Sequence, residues 1–167
     1  MMATTVVAAV VQGHDLIIGS VGDSPAFLLR EGATRKLTTD HTVGTLESQT
    51  GMTIAENSAE SRKLTRALGS QPSVKVDIIS GKVRHNDRVV MCSDGLTRYL
   101  PPEEIEQVTT ALDPERAVHE LIRMANERGG GDNISVIVLR IKEIVEDIAP
   151  PPVALNTDVE PGPAIDI

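Results

Sequence analysis

The sequence predicts an α+β fold with largely antiparallel sheets. Short β-branched runs bounded by turn residues fill the first half of the 167 residues, and two helical stretches follow late. A final alternating strand closes the pattern. Runs of strands followed by helices, instead of a strict alternation of the two, favour antiparallel pairing.

Residues 4–11 and 16–21 are two apolar, β-branched runs separated by Gly13-His14-Asp15, which predicts a hairpin. Residues 26–30 follow the turn Gly22-Asp23-Ser24-Pro25, and Glu31-Gly32 supplies the next turn. Residues 42–66 are polar and irregular, with room for a turn or two of helix. Residues 74–80 alternate as a half-buried strand does, whereas 88–93 (RVVMCS) form a continuous apolar run suited to a buried strand. A short helix is expected after Pro101-Pro102, with Glu103 and Glu104 in its first turn, where negative charge meets the helix dipole favourably.

The clearest helix spans 114–128. Asp113 is placed to cap it, and Pro114 suits the first helical position because its missing N–H would be unpaired there. Ala117, Val118, Leu121, Ile122 and Ala125 form one apolar stripe. Gly129-Gly130-Gly131 end the helix, and 133–141 resume as a strand.

Composition divides the chain and narrows its chemistry. From Glu143 onward there are six acidic and no basic residues, which account for most of the net charge of −8, and five of the ten prolines. Such a stretch buries too little apolar surface to offset its ordering entropy. The expected organisation is therefore a domain at 1–142 and an acidic, proline-rich tail or linker at 143–167. No apolar run approaches the roughly 20 residues of a membrane span, and no basic signal sequence opens the chain. A cytoplasmic location follows as the expectation. The single cysteine, Cys92, excludes an internal disulfide and a cysteine-based zinc site. With only Phe27 and Tyr99 aromatic and no basic stripe, nucleic-acid binding has no support. Ser24 and Ser93 have no convincing histidine partner, and no Gly-rich loop precedes a Lys-Ser or Lys-Thr, so serine-hydrolase and nucleotide chemistry also lack motifs. His41 is assigned a loop-bonding role and Cys92 a place in the core.

The informative chemistry lies in Ser93-Asp94-Gly95 and Gly131-Asp132-Asn133. Asp94 closely follows one apolar strand and Asp132 precedes another, so antiparallel pairing of the two brings both carboxylates to one sheet edge. Two convergent carboxylates make a hard-oxygen site suited to Mg²⁺ or Mn²⁺. Each motif is also an ordinary turn dipeptide whose Asp can bond its own backbone.

In order along the chain stand Thr4-Thr5-Val6-Val7-Ala8-Ala9, Val21-Gly22-Asp23-Ser24, Leu37-Thr38-Thr39-Asp40-His41 and Leu64-Thr65-Arg66-Ala67-Leu68-Gly69. Cys92-Ser93-Asp94-Gly95-Leu96-Thr97 and Gly131-Asp132-Asn133-Ile134-Ser135-Val136 complete the series. Over nearly all of 3–142 this set resembles the metal-dependent protein phosphatases of type 2C (PPM), especially the bacterial serine/threonine branch. The resemblance implies a sandwich of two antiparallel β-sheets flanked by helices, with the metal site at one edge. It implies that Asp94 and Asp132 are metal ligands and that Asp23 helps bind a more loosely held further ion. Asn133 is then the residue that orients the neighbouring carboxylate, and residues 42–63 correspond to a variable flap that bears on substrate choice. The implied cofactors are two or more Mn²⁺ or Mg²⁺ ions per complete site, and the implied partners are phosphorylated proteins, targets of a serine/threonine kinase. In such a centre two ions roughly 3.5–4 Å apart activate a water that attacks phosphoserine or phosphothreonine in line.

Three departures accompany the resemblance. The family's opening section, with its acidic strand, phosphate-gripping arginine and metal-bridging Asp-Gly motif, has no counterpart before Met1-Met2-Ala3-Thr4. The expectation is an N-terminally incomplete domain with an apolar sheet edge or face uncovered, through which the chain could self-associate. Arg98 stands where many relatives carry an acid, so a cation faces any additional metal. Pro25 replaces the arginine that usually follows the Gly-Asp-Ser turn, at what is expected to be an edge strand. These departures keep a non-catalytic interaction module as the alternative.

Overall fold

A computed structural model describes residues 2–50 and 58–143. The first hairpin is β1 (Val6–Gln12) and β2 (Asp15–Val21), paired in register from Val6↔Val21 to Gln12↔Asp15 across a Gly13-His14 turn. Next comes β3 (Ala26–Arg30), which turns through Glu31 and Gly32, both at positive φ (51° and 79°), into β4 (Ala33–Lys36). This backbone matches the twist of a tight hairpin. The short polar β4 has no apolar alternation and was not expected from the sequence. After α1 (Val43–Thr50) come β5 (Asp77–Lys82) and β6 (Arg88–Cys92). Three helices follow: the single turn α2 (Asp94–Thr97), α3 (Pro102–Ala111) and α4 (Pro114–Glu127), and then β7 (Val136–Arg140). Asp113 caps α4 as expected, its carboxylate accepting the Arg116 N–H at 3.2 Å.

Two strand boundaries differ from the sequence expectation. The predicted strand at 74–80 begins at Asp77 and continues to Lys82, because pairing with β2 runs from Ser20↔Asp77 to Asp15↔Lys82. The predicted strand at 133–141 begins at Val136, because residues 131–135 form the loop that carries Asp132.

The strands form two antiparallel sheets, β1-β2-β5 and β4-β3-β6-β7. Leu16, Ile18, Leu28, Val89 and Met91 fill the space between them. The other face of the four-stranded sheet presents Phe27, Leu29, Val90 and Cys92 to Leu96, Leu100, Ile105, Leu121 and Ala125 of the helical layer. Both faces of β3 and β6 are therefore buried, which explains their unbroken apolar runs. Val89 and Val90 lie on opposite faces and are each fully buried, a contribution of about 1.5–3 kcal/mol apiece. Pro25 also differs from expectation: β3 is an interior strand, and proline is accommodated because it precedes the first ladder position.

The outer face of the three-stranded sheet is different. Val6, Val10 and Ile17 are exposed there, and Val10 and Ile17 are direct cross-strand neighbours. Apolar side chains therefore stand at the surface on this side of the sheet. Among the described residues no helix is long and apolar enough to cross a membrane. The described elements run from Val6 to Arg140, and the expected tail at 143–167 lies, but for Glu143, outside the described residues.

Candidate metal centre

The rim begins where β6 ends. β6 and β7 pair antiparallel with Cys92 opposite Val136, so the residues that leave β6 and those that enter β7 share one end of the sheet. Ser93 ties the two segments together. Its N–H donates to the Ser135 carbonyl, its Oγ accepts the Ser135 N–H, and its hydroxyl donates to the Asn133 carbonyl, each at 3.0 Å. Gly95 permits this closeness: a Cβ there would lie 3.1 Å from the Asn133 carbonyl carbon and 3.5 Å from Asp132 Cβ, with the carbonyl oxygen nearer still.

Asp94 and Asp132 consequently arrive at the same rim, as the antiparallel reading requires. A single guanidinium joins them: Arg98 donates through Nη2 to Asp94 Oδ2 at 2.7 Å and through Nη1 to Asp132 Oδ2 at 3.2 Å. Asp132 Oδ1 accepts the backbone N–H of Asn133 at 2.8 Å. That contact comes from the Asn133 main chain, not from its side-chain amide.

Asp23 approaches from the other sheet, in the turn after β2. It shares an open cleft of about 630 Å³ with Asp40, Asp94 and Arg98, which Thr42, Thr45 and Arg62 also line. Burial, then the nearby Asp94, and more weakly Asp40, push the Asp23 carboxyl above its usual range, against the opposing pull of its own backbone N–H and of Arg98. The turn that carries Asp23 is held by His41. The buried imidazole accepts the Gly22 N–H at Nδ1 (2.9 Å) and donates from Nε2 to Asp77 Oδ2 (2.9 Å). Asp77 in turn binds Arg66 Nη1 at 2.6 Å, and that hydrogen bond holds its carboxyl below the ordinary range. Gly22, at φ 107°, packs so closely on Thr5 that no side chain fits. His41 therefore has the loop-bonding role expected of it. Cys92 is likewise a core residue, its thiol pushed up to about 12 by burial.

Sequence reasoning named Asp40 only as part of a motif. One of its oxygens accepts from Lys36 Nζ at 2.6 Å, and the other, Oδ1, is buried without a partner. Nothing in the composition flags that orphan. The Arg98 bridge had half a signal, since Asp94 and Arg98 are four apart, a spacing that pairs side chains on a helical turn.

The donor set fits a hard divalent cation in kind: every candidate atom is a carboxylate oxygen, and one of them, Asp40 Oδ1, is buried and unpartnered. It falls short in number. Among the described residues no three Asp, Glu, His or Cys side chains gather closely enough to hold an ion. The expected trio Asp94, Asp132 and Asp23 is thus not assembled into a ready cage. Arg98 takes the gap between the first two, and Asp23 stands on the end of the other sheet.

A two-sheet α+β sandwich with an acidic rim defines the class, and the comparisons specify it. Residues 2–134 match the family Protein phosphatase 2C, and the chain belongs to that family. It is similar to the serine/threonine phosphatase stp of Listeria innocua, at 36% identity over 145 residues covering 83% of this chain and 56% of the relative. Among solved structures it is similar to the Mycobacterium tuberculosis serine/threonine phosphatase PstP/Ppp, with a TM-score of 0.77, 28% identity, and coverage of 83% of this chain and 60% of that one. It is also similar to the catalytic domain of PstP in complex with two manganese ions, with a TM-score of 0.73, 30% identity, and coverage of 85% and 60%. The chain therefore spans little more than half the length of the Listeria relative and of the solved structures it matches.

Proposed function

We propose that the protein containing this chain hydrolyses phosphoserine and phosphothreonine on proteins in a metal-dependent reaction, and that Asp94, Asp132 and Asp23 are its contribution to the metal centre. The observation that carries the reading is the delivery of Asp94 and Asp132 to one rim by the β6–β7 pair, in a chain of the type 2C phosphatase family. A divalent ion, Mn²⁺ or Mg²⁺, supplies an activated water and a clamp on phosphoryl oxygens. The chain's own residues do the positioning. The Asn133 N–H fixes the direction of Asp132, Ser93 locks the two rim segments, and His41 with Asp77 and Arg66 holds the Asp23 turn. Thr42, Thr45 and Arg62, which line the same cleft, offer hydroxyls and a cation to a phosphorylated segment.

Phosphate release from a phosphothreonine peptide by the full-length protein, with and without Mn²⁺, tests this. Activity should require the metal and be lost in an Asp94→Asn, Asp132→Asn variant; undiminished activity in that variant would overturn the assignment. The alternative, a non-catalytic module that binds phosphoproteins on the same scaffold, is favoured by one observation, the Arg98 bridge across the pair. The remaining proposals are targets of a serine/threonine kinase as substrates, a cytoplasmic location consistent with an unpaired, buried Cys92, and self-association through the exposed face of β1 and β2.

A further inference from the structure

We propose that Arg98 is a built-in counter-cation which occupies the Asp94–Asp132 pair and must swing away before a divalent ion can enter. This rests on the reading of those two aspartates as metal ligands, and goes beyond it by assigning a competitor within the chain. Contact with Asp94 alone would be unremarkable, because residues four apart on a helical turn commonly pair. The second arm of the fork matters more, since it reaches Asp132, 34 residues away, on the loop before β7. Arg98 closes α2 with its backbone N–H on the Asp94 carbonyl at 2.9 Å, so its main chain is fixed and only the side chain can leave.

The chemistry makes this an exchange of one cation for another. The guanidinium is a permanent cation, so what frees the carboxylates for a metal is movement of the side chain. Its planar fork presents two donors in fixed geometry to the two oxygens, whereas a lysine ammonium is a point charge on a flexible stem. Both contacts are open to water, with side-chain exposures of 36% for Arg98, 40% for Asp94 and 43% for Asp132, so the latch is weak enough to be displaced. The cleft needs the positive charge meanwhile, since Asp40 has only Lys36 on one oxygen and nothing on the other.

Mn²⁺ titration by calorimetry of the 167-residue chain, the Arg98→Gln and Arg98→Lys variants, and an Asp94→Asn, Asp132→Asn variant provides the test. Losing two exposed ion pairs predicts that Arg98→Gln binds Mn²⁺ about tenfold more tightly than the parent. Arg98→Lys, which keeps the charge but not the fork, should fall between them. Equal affinities for Arg and Lys, or for all three, overturn the inference while leaving the metal reading intact if the double asparagine variant still loses binding. Mn²⁺ binding that does not depend on Asp94 and Asp132 overturns the metal reading itself. A second measurement needs no variant beyond an assignment control: the Arg98 guanidinium NMR signal of the parent chain during Mg²⁺ titration. Displacement predicts a shift toward an unpaired guanidinium with the same midpoint as ion binding. A cation that only repelled the metal would leave the signal unmoved at saturation, and that result would refute the exchange.

Discussion

Replacing Gly95 by alanine sets two effects of opposite sign against each other. Gly95 lies inside α2, and helix propensity alone predicts that alanine stabilises by up to about 1 kcal/mol. The new methyl would sit 3.1 Å from the Asn133 carbonyl carbon and closer to its oxygen, against backbone that three Ser93 hydrogen bonds hold in place. Relieving the overlap costs roughly 1–3 kcal/mol as overpacking. Weakening one or two of the Ser93 bonds adds about 1 kcal/mol each. The net expectation is a loss of roughly 3 kcal/mol, read as a lower urea midpoint at unchanged slope. Gly32→Ala is the control, since no atom lies within 4 Å of where its methyl would stand and only its φ of 79° opposes the change, at about 1–2 kcal/mol. A Gly95→Ala protein as stable as the parent, or no worse than Gly32→Ala, would refute the idea that this close approach builds the rim.

Cys92 should resist a thiol reagent in the folded protein and react only on unfolding. Because its folded pKa is raised from 9.0 to about 12, stability is full below pH 9 and declines above it, by roughly 1 kcal/mol at pH 10. Denaturation midpoints across pH 8–10.5, compared with a Cys92→Ala protein lacking that slope, check the sign. On the outer sheet face, Val10→Lys and Ile17→Lys together should abolish association seen by sedimentation velocity at high concentration. A parent chain that stays monomeric at the highest concentration reached would remove the self-association proposal.

What could be seen in the sequence was whatever depends on periodicity and turn chemistry. The β1–β2 hairpin, β3, β6 and α4 with its Asp113 cap follow from such local signals, and the pairing of β6 with β7 then placed Asp94 and Asp132 at one rim. The short polar β4 could not be read, since its strand character comes from pairing with β3 and not from its own residues. The late starts of β5 and β7 were hidden for a similar reason: register with β2 and β6 sets them. Within the candidate site, Asp94 and Asp132 were singled out by their places beside two strands and Asp23 by resemblance, whereas the orphaned oxygen of Asp40 and the far arm of Arg98 are products of tertiary packing. Spacing of four residues hinted at the near arm only.

The unequal cover of the two sheets bears on how the cleft fluctuates. Asp94 and Asp132 hang from strands pressed between two apolar layers, whereas Asp23 follows a strand whose outer side meets solvent. Local opening should therefore start in the thinner half and change the gap between Asp23 and Asp94, while the spacing of Asp94 to Asp132 stays nearly constant. The β2 side of the mouth should then be the side that adjusts to what enters.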